Sequence, residues 1–264
     1  MADANYETRY CAFVDILGFS ELIDKLDRGE TPFRSLQALL EKIHNPPPTN
    51  AGGMEKSDFR AQSISDAVAL SGADNILGVA AIFHSINRLA IDLLKEGFFI
   101  RGAIVKDKLY HDDKTVFGKA LVRAYQLEDT VVKYPRVMVT REVISDIREA
   151  APGEKGEFDL LRRAEDGPMF LHVLRDIEMQ ALPFKLGSVV SKVTDERFHG
   201  KLDPYLDIPN QIQRRFDEAT DNPNHFEKVK WFAHYWNDTI EKWGCEGFKR
   251  VMGPGVDPKP AYWG

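Results

Sequence analysis

Tyr10-Cys-Ala-Phe-Val-Asp15-Ile-Leu-Gly-Phe-Ser20-Glu-Leu is the stretch on which the reading of this chain turns. An apolar run of strand character is interrupted by a carboxylate, and Gly18 then breaks it. A second stretch repeats the arrangement: Gln62-Ser-Ile-Ser-Asp66-Ala-Val-Ala-Leu-Ser71-Gly. A bare carboxylate on a buried strand is costly unless a cation or a hydrogen-bond donor meets it. Two of them, delivered by adjacent strands, make a site for a hard divalent cation such as Mg²⁺ or Mn²⁺. Pairs of oxygen-liganded ions are a standard means of phosphoryl transfer. One aspartate after an apolar strand is also a common helix cap or turn former. Two in matching contexts favour metal ligation.

Working outward, residues 9–16 read as a central strand and Ser20 as the cap of a helix running to Leu26. Residues 32–44 read as a second helix, and the prolines and glycines of 45–53 as a surface loop. A hairpin spans 59–64 and 67–71 with Asp66 at its turn. A long amphipathic helix spans 75–97 and ends at Gly97. Then come a strand at 98–105 and a polar hairpin arm at 106–116. A helix follows at 118–131, with Leu121, Ala124, Tyr125 and Leu127 inward, and a short strand at 136–139. This order gives an α+β fold, an antiparallel sheet covered by helices.

Beyond about residue 150 the texture changes. A hairpin is expected at 158–161 and 168–174 across Glu165-Asp-Gly167, and helices at 211–218 and 226–243. Val229, Phe232, Trp236, Ile240 and Trp243 form a helical stripe, so Trp231, Trp236 and Trp243 read as packing residues rather than a base-stacking box. The expected organisation is a core at 1–150, a hairpin plus helical extension packed on it at 151–252, and a loose tail at 253–264.

The 264 residues carry a formal net charge of -6, with 43% hydrophobic and 29% charged residues. That is ordinary globular composition, and it argues against a nucleic-acid binder, which needs a basic face. Cys11 and Cys245 make neither a disulfide framework nor a zinc site. The most apolar stretch, 74–99, is interrupted by Asn87, Arg88, Asp92, Lys95 and Glu96, short of the ~20 apolar residues of a membrane span. The sequence reads as a cytoplasmic protein with no membrane and no nucleic-acid partner.

The two aspartate motifs resemble the catalytic domain of the class III nucleotidyl cyclases. The family's first strand is matched by Phe13-Val-Asp15-Ile-Leu-Gly18-Phe19-Ser20, and its second metal aspartate by Asp66, with Ser65 replacing a glycine. The likeness continues through Ile100-Arg101-Gly102-Ala-Ile-Val105 and Phe117-Gly118-Lys-Ala-Leu-Val-Arg-Ala124-Tyr-Gln-Leu127-Glu128, covering roughly residues 8 to 140 with the blocks in family order and spacing. The resemblance implies a ferredoxin-like core, here with a C-terminal mostly helical extension. It implies two Mg²⁺ or Mn²⁺ ions held by Asp15, Asp66 and the Ile16 carbonyl. It also implies a nucleoside triphosphate substrate, attack of the ribose 3′-hydroxyl on the α-phosphorus, and a homodimer whose sites combine both protomers.

The departures carry information too. Gln62 and Thr115 stand where the family reads purines with charged or thiol side chains, and both have donor and acceptor capacity suited to a pyrimidine edge. Val122 and Gln126 replace an Asn that orients the ribose and an Arg that steadies the phosphorane. Arg123 is adjacent, but one residue turns it by about 100° around the helix. Arg101 is a candidate nucleotide contact, or else a structural ion pair. Lys108 aligns with a phosphate-contacting family Arg and is the third candidate catalytic residue, although Asp107 replaces the glycine before it. Tyr125 reads as core and His111 as a solvated loop residue.

The combination is similar to the bacterial pyrimidine cyclases of the Pycsar anti-phage systems. They share a Ser-Asp metal turn, a Leu109-Tyr110-His111 arm and an Ala124-Tyr125-Gln-Leu127-Glu128 helix. That likeness implies synthesis of cyclic UMP or cyclic CMP, which would act on an effector through the product and not by direct binding. A purine cyclase with an unusual base pocket, and an inactive cyclase fold that senses a nucleotide, stay open as alternatives.

Overall fold

The computed structural model describes residues 6–30, 33, 34, 37, 41, 59–150, 160–178, 202–243 and 248–256. The chain starts with β1 (Glu7–Leu17), α1 (Phe19–Asp27), β2 (Phe59–Ile64), β3 (Ala67–Ala73) and α2 (Ile76–Leu94). It continues with β4 (Phe99–His111), β5 (Val116–Phe117), α3 (Lys119–Thr130), β6 (Val137–Val139) and α4 (Arg141–Ala150). It ends with β7 (Leu161–Arg163), β8 (Met169–Leu171), a 3₁₀ turn (Asp203–Tyr205), α5 (Ile208–Glu218) and α6 (Pro223–Trp243). The fold is α+β: one sheet in the order β2-β3-β1-β4-β6-β8-β7, with β5 paired to β4, and helices on its faces.

β1 is central because its alternate residues serve two apolar layers. Tyr10, Ala12, Val14 and Ile16 face the larger core, which α2 and the C-terminal helices complete. Cys11 and Phe13 face a smaller core closed by Ala120 and Ala124 of α3. Burial pushes the Cys11 thiol up to about 12, so it packs as a small hydrophobe. α2 passes for a membrane span by length and composition, but 67% of that window is buried inside the fold. Asn75 caps it, its side chain accepting from the Gly78 amide at 2.8 Å.

Several expectations need correction. Ser20 does not cap α1; Gly18 does, in a left-handed conformation at φ 89°. The strand at 98–105 and the arm after it are one element, β4, paired with β1 from Leu17↔Phe99 to Glu7↔Leu109. It carries a paired charge on each face: Lys106 with Asp74 and Asp146, Asp107 with Arg123. The sheet is not purely antiparallel, since β6 runs parallel to β4. A crossover through α3 permits that direction. α4 is absent from the sequence reading, because only Val143 and Ile144 of its ten residues are buried. Tyr125 is not core: it is half exposed, edge-on to Phe13 at 5.5 Å. His111 is not a solvated loop residue but a buried one on β4, 2.8 Å from the Ser71 hydroxyl.

Of the helix expected at 32–44, only Phe33, Arg34, Gln37 and Glu41 are described, all helical. The loop at 45–53, Cys245 and residues 257–264 lie outside the described residues. Of the second hairpin, β7 starts at Leu161, the last residue of the expected first strand (158 and 159 lie outside the described residues), and β8 falls within the expected 168–174. Arg162↔Phe170 is its centre, and β8 adds to the sheet through Met138↔Phe170. α6 places Trp231 against Tyr134 and Phe170, and Trp236 donates to the Lys249 carbonyl at 3.0 Å. The expected tail is packed at its start, with Val256 buried and the Gly255 carbonyl 2.9 Å from His234 Nε2.

Candidate active site

Strand register builds the site. Asp15 lies opposite Ala67 on β3 and opposite Arg101 on β4, so the three share one face of the sheet. Asp66 occupies the turn immediately before Ala67. That turn requires a left-handed residue, and Ser65 supplies it at φ 60° where a glycine would be unstrained. Beyond Asp15 the partner strand β3 has ended, so Ile16 has a strand beside it on the β4 side only.

The electrostatics are those of a charge cluster short of cations. The Asp15 carboxyl is pushed up by burial and then by the Asp66 charge. The Arg101 guanidinium and the Ile16 backbone amide pull it back down. Arg101 Nε stands 3.4 Å from Asp15 and 2.5 Å from Glu128. The latter contact is Coulombic, since Glu128 Oε1 accepts no hydrogen bond in the line of an N–H. Burial drives the Glu128 carboxyl up to about 7, against the pull of Arg101 and with the push of Asp15.

Glu128 was not a candidate in the sequence. The signal was there: Ala120, Ala124 and Glu128 are the buried residues of α3 at four-residue intervals, one stripe facing the sheet. Lys228 of α6 was also missed, and no local pattern marks it. Its ammonium is held below its ordinary value by burial and by the Arg101 charge, while Asp15 and Glu128 oppose that shift. The C-terminal helix thus sets a cation within electrostatic reach of the aspartates.

Gln62 and Thr115 come together at the edge of the same face. Gln62 lies opposite Ala69 on β3, and Ala69 opposite Phe13 on β1. By strand spacing that puts Gln62 about 12 Å from Asp15. Its amide donates to the Lys114 carbonyl at 3.0 Å, next to the exposed Thr115. The Gln62 Oε1 atom is buried and accepts no hydrogen bond.

The remaining candidates are not gathered at the aspartates. Lys108 is exposed, opposite Thr8, on the other face of the sheet. It is seven residues along β4 from Arg101, roughly 20 Å away at the rise of a strand. Arg123 is engaged by Asp107 at 3.1 Å and Glu142 at 3.1 Å. Val122 and Gln126 are on the exposed side of α3.

The donor set fits a hard divalent cation: two carboxylates that repel each other beside a backbone with a free edge. Arg101 supplies positive charge there. Among the described residues no group of three His, Cys, Asp or Glu side chains is arranged to hold an ion. Any ion here would therefore rest on two carboxylates, a carbonyl and its own ligands.

No family model matches the sequence, and no curated protein does. Among solved structures, the chain is similar to the monomeric guanylyl cyclase domain of the RhoGC fusion protein from the aquatic fungus Blastocladiella emersonii. The identity is 12% and the TM-score 0.39, over 64% of this chain and 96% of that one. It is also similar to the catalytic core of a rhodopsin-guanylyl cyclase with converted specificity, in complex with ATPalphaS. There the identity is 16% and the TM-score 0.36, over 63% and 94% of the two chains.

Proposed function

We propose that this protein is a nucleotide cyclase of the class III type. It would convert a pyrimidine nucleoside triphosphate, UTP before CTP, to the 3′,5′-cyclic monophosphate and pyrophosphate. The observation that carries the reading is the convergence of Asp15 at the end of β1 with Asp66 in the β2–β3 turn, in a sequence context resembling that family. Asp15, Asp66 and the Ile16 carbonyl would hold Mg²⁺ or Mn²⁺. Such ions lower the pKa of the attacking 3′-hydroxyl and neutralise the leaving pyrophosphate. The oxygen–phosphorus bond to the 3′-oxygen forms as the α–β bridge breaks, and the hydroxyl proton leaves to solvent. Arg101 and Lys228 are the chain's own cations at this place, and they take over charge neutralisation that Val122 and Gln126 do not provide.

Base choice rests on Gln62. Its amide donates to the Lys114 carbonyl beside the exposed Thr115, and the two neutral groups, each able to donate and accept, would read the base once that amide is released. Uracil offers its ring N–H and cytosine its amino group. The rest of the reading follows the resemblance: a cytoplasmic homodimer with composite sites, making a messenger for an effector in anti-phage defence. Val122 and Gln126, with Arg123 committed to Asp107 and Glu142, favour a second reading, an inactive fold that senses a nucleotide.

One experiment separates these readings. The full chain is incubated with each of the four ribonucleoside triphosphates and Mn²⁺ or Mg²⁺, and products are identified by mass spectrometry. The expected result is cyclic UMP as the main product, with cyclic CMP second. ATP or GTP as the best substrate would replace the pyrimidine reading with a purine one. Nucleotide binding without any cyclic product would establish the sensing reading. Light scattering at assay concentration tests the dimer.

A further inference from the structure

A groove of about 890 Å³ lies between α4 and the β7–β8 hairpin, floored by Met138, Val139 and Thr140 at the end of β6. Three guanidinium groups line it: Arg141 and Arg148 from α4, and Arg163 from β7. Arg141, Ser145 and Arg148 stand at i, i+4 and i+7, one stripe of the helix turned to the groove. Arg163 is steadied by the Gly167 carbonyl at 2.9 Å. Arg141 and Arg148 are exposed and have no ion-pair or hydrogen-bond partner among the described residues.

The two carboxylates in the lining do not neutralise these arginines. Asp166 is gripped through both oxygens by the buried Arg136, at 2.6 Å each. Glu142 is taken by Arg123 at 3.1 Å. The Arg136–Asp166 clamp also ties the hairpin turn to the residue just before β6. Apolar surface from Val139, Ile144, Pro168 and Met169 completes the lining. Forked guanidiniums are matched to phosphate oxygens, and the apolar wall to a flat organic group. The volume is within the range of small-ligand sites.

We propose that this groove is a second ligand site, for a phosphate-bearing organic anion of nucleotide size. It is distinct from the Asp15–Asp66 cluster, which lies on the opposite face of the sheet from α4. α4 is tied to that other face by Tyr10, whose hydroxyl donates to Asp146 at 2.7 Å. The proposal does not rest on the cyclase reading.

The test is calorimetric titration of the full chain with UTP, and separately with inorganic tripolyphosphate, in excess EDTA. The chelator removes metal-dependent triphosphate binding at the aspartates. The expected result is saturable one-to-one binding that the double variant R141E/R148E weakens by at least about tenfold, because charge-assisted contacts are lost. R141Q/R148Q should show a smaller loss of the same kind. Both positions are exposed, and an unchanged thermal melt verifies that the variants fold. Tripolyphosphate binding as tightly as UTP assigns the site to phosphates alone, whereas UTP binding more tightly assigns the apolar wall to the organic group. Absence of saturable binding by either probe, or binding that survives in R141E/R148E, overturns the proposal. Either result leaves the product assay at the aspartates unaffected, so the two readings fail separately.

Discussion

Burial and the charge of Asp66 push the Asp15 carboxyl above its ordinary value, and Arg101 and one backbone amide pull against them. Replacing Asp15 with the isosteric Asn removes that unfavourable charge without changing volume. We expect Asp15→Asn to melt at or above the wild-type temperature and to lose at least about a hundredfold in turnover, and Asp66→Asn to lose as much. Near wild-type turnover in either variant would refute the metal assignment. Asp15 and Asp66 were legible in the sequence because a carboxylate in an apolar strand is a local contradiction. Gln62 and Thr115 were legible through their spacing from those motifs. Glu128 was legible only as one of a four-residue stripe with Ala120 and Ala124, and Lys228 was not legible at all, since it reaches the site through packing between elements distant in sequence. Arg123 shows the converse: its neighbours on the helix promised a ligand contact, but Asp107 and Glu142 hold it.

At the scale of elements, the junction of β3 and α2 leaves no room for a side chain at either of its two glycines. A Cβ on Gly78 would sit 2.1 Å from the Ala73 carbonyl oxygen, and one on Gly72 2.3 Å from the Gly78 oxygen. Both obstacles are backbone and do not yield. In an open helix Gly78→Ala would gain about 1 kcal/mol of propensity; here we expect a net loss of about 2 kcal/mol in urea unfolding. No sequence pattern announces this contact, because periodicity reports faces and not interatomic gaps. The buried histidines give a second prediction. His111 is held down at about 4 by burial and by Arg9 and Arg60, and His172, between Tyr235 and Glu178, also at about 4 by burial. Both folded values lie below the ordinary 6.5, so the unfolded chain binds the extra protons. Their contribution is therefore full above pH 6.5 and is lost as pH falls toward 4, by on the order of 2 kcal/mol each. Urea midpoints that stay level between about pH 7.5 and 5 would show that neither is neutralised by burial.

For the whole molecule, the segments before and after residue 150 are joined by direct contacts. Phe232 of α6 packs on Phe99 of β4 with ring centroids 4.8 Å apart. Arg215 of α5 donates to the Gly97 carbonyl at 2.7 Å, and β8 extends the sheet beyond β6. A chain cut after residue 150 would keep both aspartates and lose the cover of the main core. We expect it to show no cooperative thermal transition by calorimetry; a sharp one would mean that the first 150 residues fold alone. The α+β class was legible because the element order was. The unity of the sheet was not, since the second hairpin joins it through the single pair Met138↔Phe170, which no local pattern announces.

The central position of β1 also has a consequence for how the protein is made. This strand is synthesised before both of its neighbours in the sheet, which begin only at Ala67 and Phe99. At translation rates of about 5–20 residues per second, the Tyr10–Ile16 segment waits roughly 3–10 s for the first of them and roughly 4–17 s for the second. During that interval it is an unpaired apolar strand, open to other nascent chains. Until β4 emerges this segment has the character of a substrate for holdase chaperones, and slower translation lengthens the exposure.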